Sequence, residues 1–209
     1  MVNTNIPAKI LITGAHPDDI EAGCGASISK WVKQGILITA VVMSCETPTR
    51  KKEQEDSFKY LGVTDYVIAN FKDGAIPHNK ETVSLLDNII KDRGINTIFT
   101  HSEFDSHQDH QNTMKSTMSS GRNVNNFFHF DTVPFKRINF QELSKPTTYV
   151  EINNFIDKKI NALKFHKSQI KRFPKNWEEI LKSEARYKGT FISSNYSEAF
   201  YCKKFIFTP

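Results

Sequence analysis

Apolar positions along the chain follow two alternating rhythms. Lys9–Thr13 (KILIT), Ile36–Met43 (ILITAVVM), Tyr66–Ala69 and Asn96–Thr100 (NTIFT) are short apolar runs. They have the length and β-branched content of strands buried on both faces. Between them lie segments whose apolar residues recur three and four apart. Ala22–Gln34 carries Ala26, Ile28, Trp31 and Val32, and Lys51–Tyr60 turns Phe58, Tyr60 and the following Leu61 inward. Glu81–Arg93 carries Val83, Leu85, Leu86, Ile89 and Ile90. Gly35, Gly62 and Gly94 follow these three segments, where a glycine stops a helix. Four strand–helix alternations predict a parallel sheet with right-handed crossovers.

The rhythm changes after about residue 107. Gln111–Ser120 predicts a helix, and Phe127–Phe130 and Thr148–Glu151 predict short strands. Asn154–Arg172 predicts one long amphipathic helix, with Phe155, Ile156, Ile160, Leu163 and Ile170 on one side. Trp177–Lys188 predicts a further helix, and Glu198–Phe207 a last strand. There is no internal repeat, low-complexity segment or linker. The expected fold is α/β, a Rossmann-like three-layer sandwich with a mostly parallel sheet and a smaller C-terminal α+β portion. It is expected as one domain over residues 1–209, with its core in about 1–120 and a covering segment in about 121–209.

Composition changes this picture little. The 209 residues, 38% hydrophobic and 24% charged, are those of an ordinary globular protein. No run approaches the roughly 18–20 apolar residues of a membrane span, and MVNTNIPAKI lacks a secretory h-region. Cys24, Cys45 and Cys202 are odd in number and widely spaced, which argues against a disulfide framework and for a reducing cytoplasm. The formal charge of +5 is unevenly spread: residues 1–134 carry −3 and residues 135–209 carry +8. No aromatic–basic interleaving, Cys/His finger or basic zipper accompanies it, so nucleic acid is not the expected partner. The basic final third reads as lysines on amphipathic helices, or as a rim for an anionic substrate.

Candidate chemistry gathers in two segments. Ala15-His16-Pro17-Asp18-Asp19-Ile20-Glu21 follows the first strand, and His101-Ser102-Glu103-Phe104-Asp105-Ser106-His107-Gln108-Asp109-His110 follows the Asn96–Thr100 strand. Ligands of parallel sheets bind at the carboxyl ends of strands, so the two segments are expected to meet. His16 and Asp19, three apart at a helix start, can converge on one cation, while Asp18 points elsewhere, toward water. Two adjacent carboxylates stay ionised most readily beside a divalent ion. Of His107 and His110, one suits a ligand and the other proton transfer. His101 and Asp105 either support the ligands or end the strand. His78 reads as surface, His129 and His166 as core or rim, and Cys24 as a small apolar packer.

AHPDDIE after a short strand, with HQDH about ninety residues later, resembles the PIG-L/LmbE family of zinc-dependent N-acetylglucosaminyl deacetylases. The resemblance runs over almost the whole chain. Gly23-Cys24-Gly25, Arg50-Lys51-Lys52-Glu53, the His166-Lys167-Ser168-Gln169 helix and Ser197-Glu198-Ala199-Phe200 resemble its further segments. Gly25-Ala26 departs from it where a second glycine is common, and Ser119–Pro146 matches nothing in it.

The resemblance implies a zinc ion, with Fe2+ or Co2+ as alternatives, held by His16, Asp19 and His110 with a position open to water. It implies Asp18 as general base, His107 as imidazolium stabilising the oxyanion or protonating the leaving amine, and Asp109 as the group orienting His107. Arg50 is the candidate substrate contact, to a hydroxyl or phosphate. The implied reaction is removal of an N-acetyl group from an amino sugar or its conjugate, with anionic and nucleotide-linked sugars in scope. A homo-oligomer is compatible with it. An N-deformylase at the same site, a two-His-one-carboxylate Fe(II) oxygenase and a binding module with a structural metal are the competing classes. The adjacent Asp18 argues against the oxygenase, and the lack of a fourth ligand in either segment argues against the module.

Overall fold

The computed structural model describes residues 9–134 and 145–206. The start of the N-terminal segment, residues 135–144 of the unmatched stretch and the end of the chain, including Phe207, lie outside the described residues. The strands are β1 (Lys9–Gly14), β2 (Leu37–Val42), β3 (Asp65–Ile68), β4 (Thr97–His101), β5 (Asn126–Phe130), β6 (Thr148–Glu151) and β7 (Ser197–Lys204). The helices are α1 (Asp19–Lys33), α2 (Pro48–Leu61), α3 (Lys80–Arg93), α4 (Gln108–Ser120), α5 (Ile156–Leu163), α6 (Lys167–Ile170) and α7 (Trp177–Thr190). The strands form one sheet in the order β3-β2-β1-β4-β5-β7-β6. β1 to β5 run parallel, and β7 lies antiparallel between β5 and β6. This is the expected mostly parallel, Rossmann-like sheet.

Alternation along β1 explains the layers. Ile10 and Ile12 join Ile20, Cys24, Ile28 and Trp31 of α1 and Phe58 of α2 on one face. Leu11 joins Leu86 and Ile89 of α3 on the other. Successive side chains of a strand point to opposite faces, so a strand apolar throughout needs helices on both. A third apolar cluster, with Ile156, Ile160 and Leu163 of α5 and Trp177 and Leu181 of α7, packs outside α1 against Ala22 and Ala26. Glu198 of β7 ties this portion in: it accepts from Lys159 Nζ at 2.8 Å and from the Ser27 N–H at 2.7 Å.

Two helices begin earlier than their apolar rhythm predicts. α1 starts at Asp19 and not Ala22, and α4 at Gln108 and not Gln111. Their first turns are mostly polar and lie at the site, with Ile20 the one core residue among them, so they add little to an apolar period. The expected long helix over Asn154–Arg172 is broken into α5 and α6. The break follows from carboxylates on other helices. Glu53 of α2 accepts from the Ser168 N–H at 2.9 Å and its hydroxyl at 2.6 Å, and His166 turns inward to within 3.5 Å of Glu21.

α1 lies so close to β5 that a side chain at Gly23 has no room. A Cβ there would meet the Phe130 ring at 2.2 Å. Gly23→Ala is expected to destabilise the protein by about 1–3 kcal/mol, the usual cost of overpacking a core. In a chain of this size that is on the order of 2–4 °C in Tm per kcal/mol, measurable by calorimetry.

Candidate metal centre

β1 has β2 on one side and β4 on the other, and the helices that follow β1 and β4 cover opposite faces of the sheet. Strand order reverses here, so the two connections diverge and leave a crevice above the strand ends. A hydroxyl ladder fixes its floor: Thr13 of β1 donates to Thr100 of β4 at 2.7 Å and lies 3.0 Å from Thr117 of α4. The motif after β1 and the motif after β4 open on this crevice, as their placement predicted.

His16, Asp19 and His110 offer one ligand atom each, all within 4.8 Å of one another, and all three residues are buried. The arrangement behind them sets the orientation of the rings. His16 Nε2 lies 3.0 Å from Asp109 Oδ2 and 3.0 Å from Asp73 Oδ1, while its Nδ1 is 3.6 Å from Asp19 Oδ2. His110 Nδ1 lies 2.7 Å from Asp105 Oδ2, while its Nε2 is 3.4 Å from Asp19 Oδ2. In the neutral ring, the carboxylate behind each histidine would hold the proton on the far nitrogen and leave a lone pair on the side of Asp19. Two imidazole lone pairs and a carboxylate oxygen facing one point suit a divalent cation, which this donor set therefore fits.

The same carboxylates also draw protons onto the rings, protons that a bound cation would displace. Burial opposes a charge on His16, yet Asp19, Asp73 and Asp109 raise its pKa to about 9. His110 is raised likewise, with burial outweighed by Asp19 and Asp105. Burial would raise Asp19, but His110, His101 and His16 hold its carboxyl well below the usual range. Protons thus gather where positive charge is wanted. Burial and the neighbouring His110 push His101 the other way, to about 4. His101 is fully buried, accepts the Ala15 N–H on Nε2 at 2.9 Å and stacks on His110 with ring centres 4.0 Å apart.

Asp18 is placed beside this cluster and is not one of its three donors. It is buried and caps α1 with φ 96° and ψ −22°. His107 caps α4, its Nδ1 accepting the Asp109 N–H at 3.2 Å, and its ring stacks on His110 at 4.6 Å. Burial and the two neighbouring imidazoles lower its pKa. Asp109 lies beside both rings, its carboxylate within 4.8 Å of ligand atoms of His16 and His107. Its carboxylate also accepts the Gly74 N–H at 2.7 Å and the Ile76 N–H at 3.0 Å, and meets His16. It is the loop after β3 that turns this carboxylate toward His16.

Arg50 lines the cleft, and its NH2 donates to the Pro17 carbonyl at 3.0 Å while NH1 lies 3.7 Å from Asp73. Asp73 had no signal in the sequence beyond its place after β3, the strand next to β2. Asp105, ambiguous in sequence, makes a short contact to His110. Asp105→Asn is expected to weaken metal affinity about 10–100-fold, as loss of a carboxylate behind a ligating imidazole does. Competition with a chromogenic chelator measures it. A cleft of about 450 Å³ spans these groups, and Gln169 and Arg172 of the C-terminal third form its far wall.

Fold and site together define an α/β protein with a His–Asp–His cluster at the switch point of a parallel sheet. Residues 11–120 match the PIG-L family model, described as GlcNAc-PI de-N-acetylase, and the chain belongs to that family. YaiS of Escherichia coli K12, named an uncharacterized deacetylase, is 33% identical over 172 residues, covering 76% of this chain and 90% of YaiS. The diacetylchitobiose deacetylase of Thermococcus kodakarensis is 24% identical over 219 residues, covering 91% of this chain and 81% of that protein. Among solved structures, the conserved protein TT1542 of Thermus thermophilus shares the fold, with a TM-score of 0.82 at 23% identity over 96% of each chain. The chain is thus an enzyme of a deacetylase family. Among the described residues no helix is long and apolar enough to cross a membrane.

Proposed function

We propose that this protein is a metal-dependent amidohydrolase that removes the N-acetyl group of an amino sugar or amino-sugar conjugate. The observation that carries the reading is the His16–Asp19–His110 cluster, backed by Asp109, Asp73 and Asp105, with Asp18 beside it in an open cleft. Relatives named as deacetylases, one of diacetylchitobiose, support the substrate class. Zinc held by these three residues would act as a Lewis acid, making water acidic enough to lose a proton near neutral pH.

Asp18 takes that proton. The water oxygen bonds to the acetyl carbon, the C–N bond breaks, and the sugar nitrogen leaves as an amine after gaining a proton. His107, held at Nδ1 by the Asp109 N–H, has Nε2 left to deliver that proton or to face the oxyanion. Each of these roles is worth about 10²–10⁴ in rate. Arg50 and Arg172 give the cleft two cationic positions for hydroxyls or an anionic substituent of the sugar. Three free cysteines support a reducing, cytoplasmic setting.

The deciding experiment is a release assay over free, phosphorylated, nucleotide-linked and lipid-linked N-acetyl amino sugars, with matched N-formyl compounds, on protein loaded with Zn2+, Fe2+ or Co2+. Acetate release that chelator abolishes and metal restores is expected. Release of formate alone would make the enzyme a deformylase. No release from any compound by any loaded form would overturn the reading.

A further inference from the structure

Asp18 is held at a positive φ, a conformation that costs any residue with a Cβ more than its usual negative φ. The Asp19 N–H donates to the His16 carbonyl at 3.3 Å, closing a four-residue turn with Pro17 second and Asp18 third. With φ 96° and ψ −22° at its third residue, this is a type II turn. Pro17 is at home in the second position, but the third position of a type II turn favours glycine or asparagine. Rotating the single peptide plane between Pro17 and Asp18 converts the turn to type I. Asp18 would then have a negative φ, which most residues prefer there. That rotation re-aims the Asp18 side chain.

Both polar atoms of that one peptide are held from α2. Arg50 NH2 donates to the Pro17 carbonyl at 3.0 Å, and Gln54 Oε1 accepts the Asp18 N–H at 3.3 Å. Arg50 and Gln54 are four apart, so they share a face of the helix. Gln54 is fully buried, and its amide is fixed in turn: Nε2 donates to Glu21 Oε1 at 2.6 Å. Glu21, also fully buried, accepts the Ser57 hydroxyl at 2.7 Å and faces His166. With its amide nitrogen committed to a carboxylate, Gln54 can offer only its oxygen to the turn.

We propose that Gln54 is a positioning residue which, with Arg50, clamps the Pro17–Asp18 peptide and thereby holds Asp18 in its left-handed, proton-accepting orientation. The clamp rests on the role proposed above for Asp18. It gives Arg50 a second task besides facing substrate, and it gives a buried glutamine on a polar helix a reason to be there. No metal donor is part of the clamp.

Crystal structures and steady-state kinetics of Gln54→Met and Arg50→Met test it. In Gln54→Met the turn is expected to relax to type I, with a negative φ at Asp18. kcat should fall about 10–100-fold, the scale on which a misplaced catalytic group acts, while KM stays within about threefold and metal content is unchanged. In an Asp18→Asn background the same change should cost nothing further in kcat, because the two act as a unit. An Asp18 φ that stays positive in Gln54→Met, or a kcat loss that adds fully to that of Asp18→Asn, would overturn the proposal. Should Gln54→Met fail to fold, Arg50→Met removes the other half of the clamp, and a positive φ at Asp18 there overturns it equally. The turn geometry is read without substrate. Failure of the deacetylase reading shows separately, as a wild type that releases no acetate.

Discussion

Asp18→Asn lowers acetate release about 10²–10⁴-fold and leaves bound metal at the wild-type level; that is the expected result, and the range is what a general base contributes. Asparagine is the sharp substitution for structural reasons. It matches aspartate in size and is among the few residues that tolerate a positive φ, so the turn at 96° survives. What it lacks is a basic oxygen. The three donor atoms of the cluster belong to His16, Asp19 and His110, so metal content should not change. Elemental analysis beside a release assay reads both quantities on one sample. Full activity in Asp18→Asn would remove Asp18 from the chemistry, and loss of metal would make it a ligand.

His110→Ala is expected to empty the centre. It removes the Nε2 that faces Asp19 and leaves the Asp105 carboxylate without its imidazole partner. Two of three protein ligands then remain, and acetate release should drop to the level of chelated wild type. A second readout needs no substrate. A ligand at 100 times its Kd stabilises the folded state by about 2.7 kcal/mol, which for a chain of this length is on the order of 5–10 °C in Tm. Wild-type protein should show that rise on adding metal, and His110→Ala should not. A variant that keeps stoichiometric metal would shift the ligand set elsewhere.

Much of this was readable from the residues alone, and the unreadable parts share a cause. Strands β1, β2 and β4 are apolar on both faces, so their runs stand out without an alignment. The two motifs sit in contiguous polar stretches directly after β1 and β4, which puts His16, Asp19 and His110 in reach of one another by topology. Asp105 and Asp73 were harder. Their roles depend on how two loops curve, and no periodicity reports loop curvature. The contact of Asp109 with His16, beside its neighbour His107, likewise depends on the loop around Gly74. The break between α5 and α6 hid for a similar reason. Apolar spacing continues through it, while Glu53 and Glu21, more than a hundred residues earlier, draw Ser168 and His166 inward. Gln54 gave no signal because an uncharged polar residue on a polar helix face reads as solvated surface.

β7 occupies an interior slot of the sheet, with β5 on one side and β6 on the other. β6 pairs with β7 and with no other described strand. During synthesis β6 is therefore made long before it has anything to pair with. It stays an unpaired edge until Ser197–Lys204 emerges and threads between it and β5. The last described strand is thus a late, non-local closing step, the kind of pairing that slows folding and leaves strand edges open to other chains. Glu198, arriving with β7, is also what finally engages Lys159 and the α1 backbone. Half-made chains carry the complete His16–Asp19–His110 cluster yet lack the strand that ties the C-terminal portion in place.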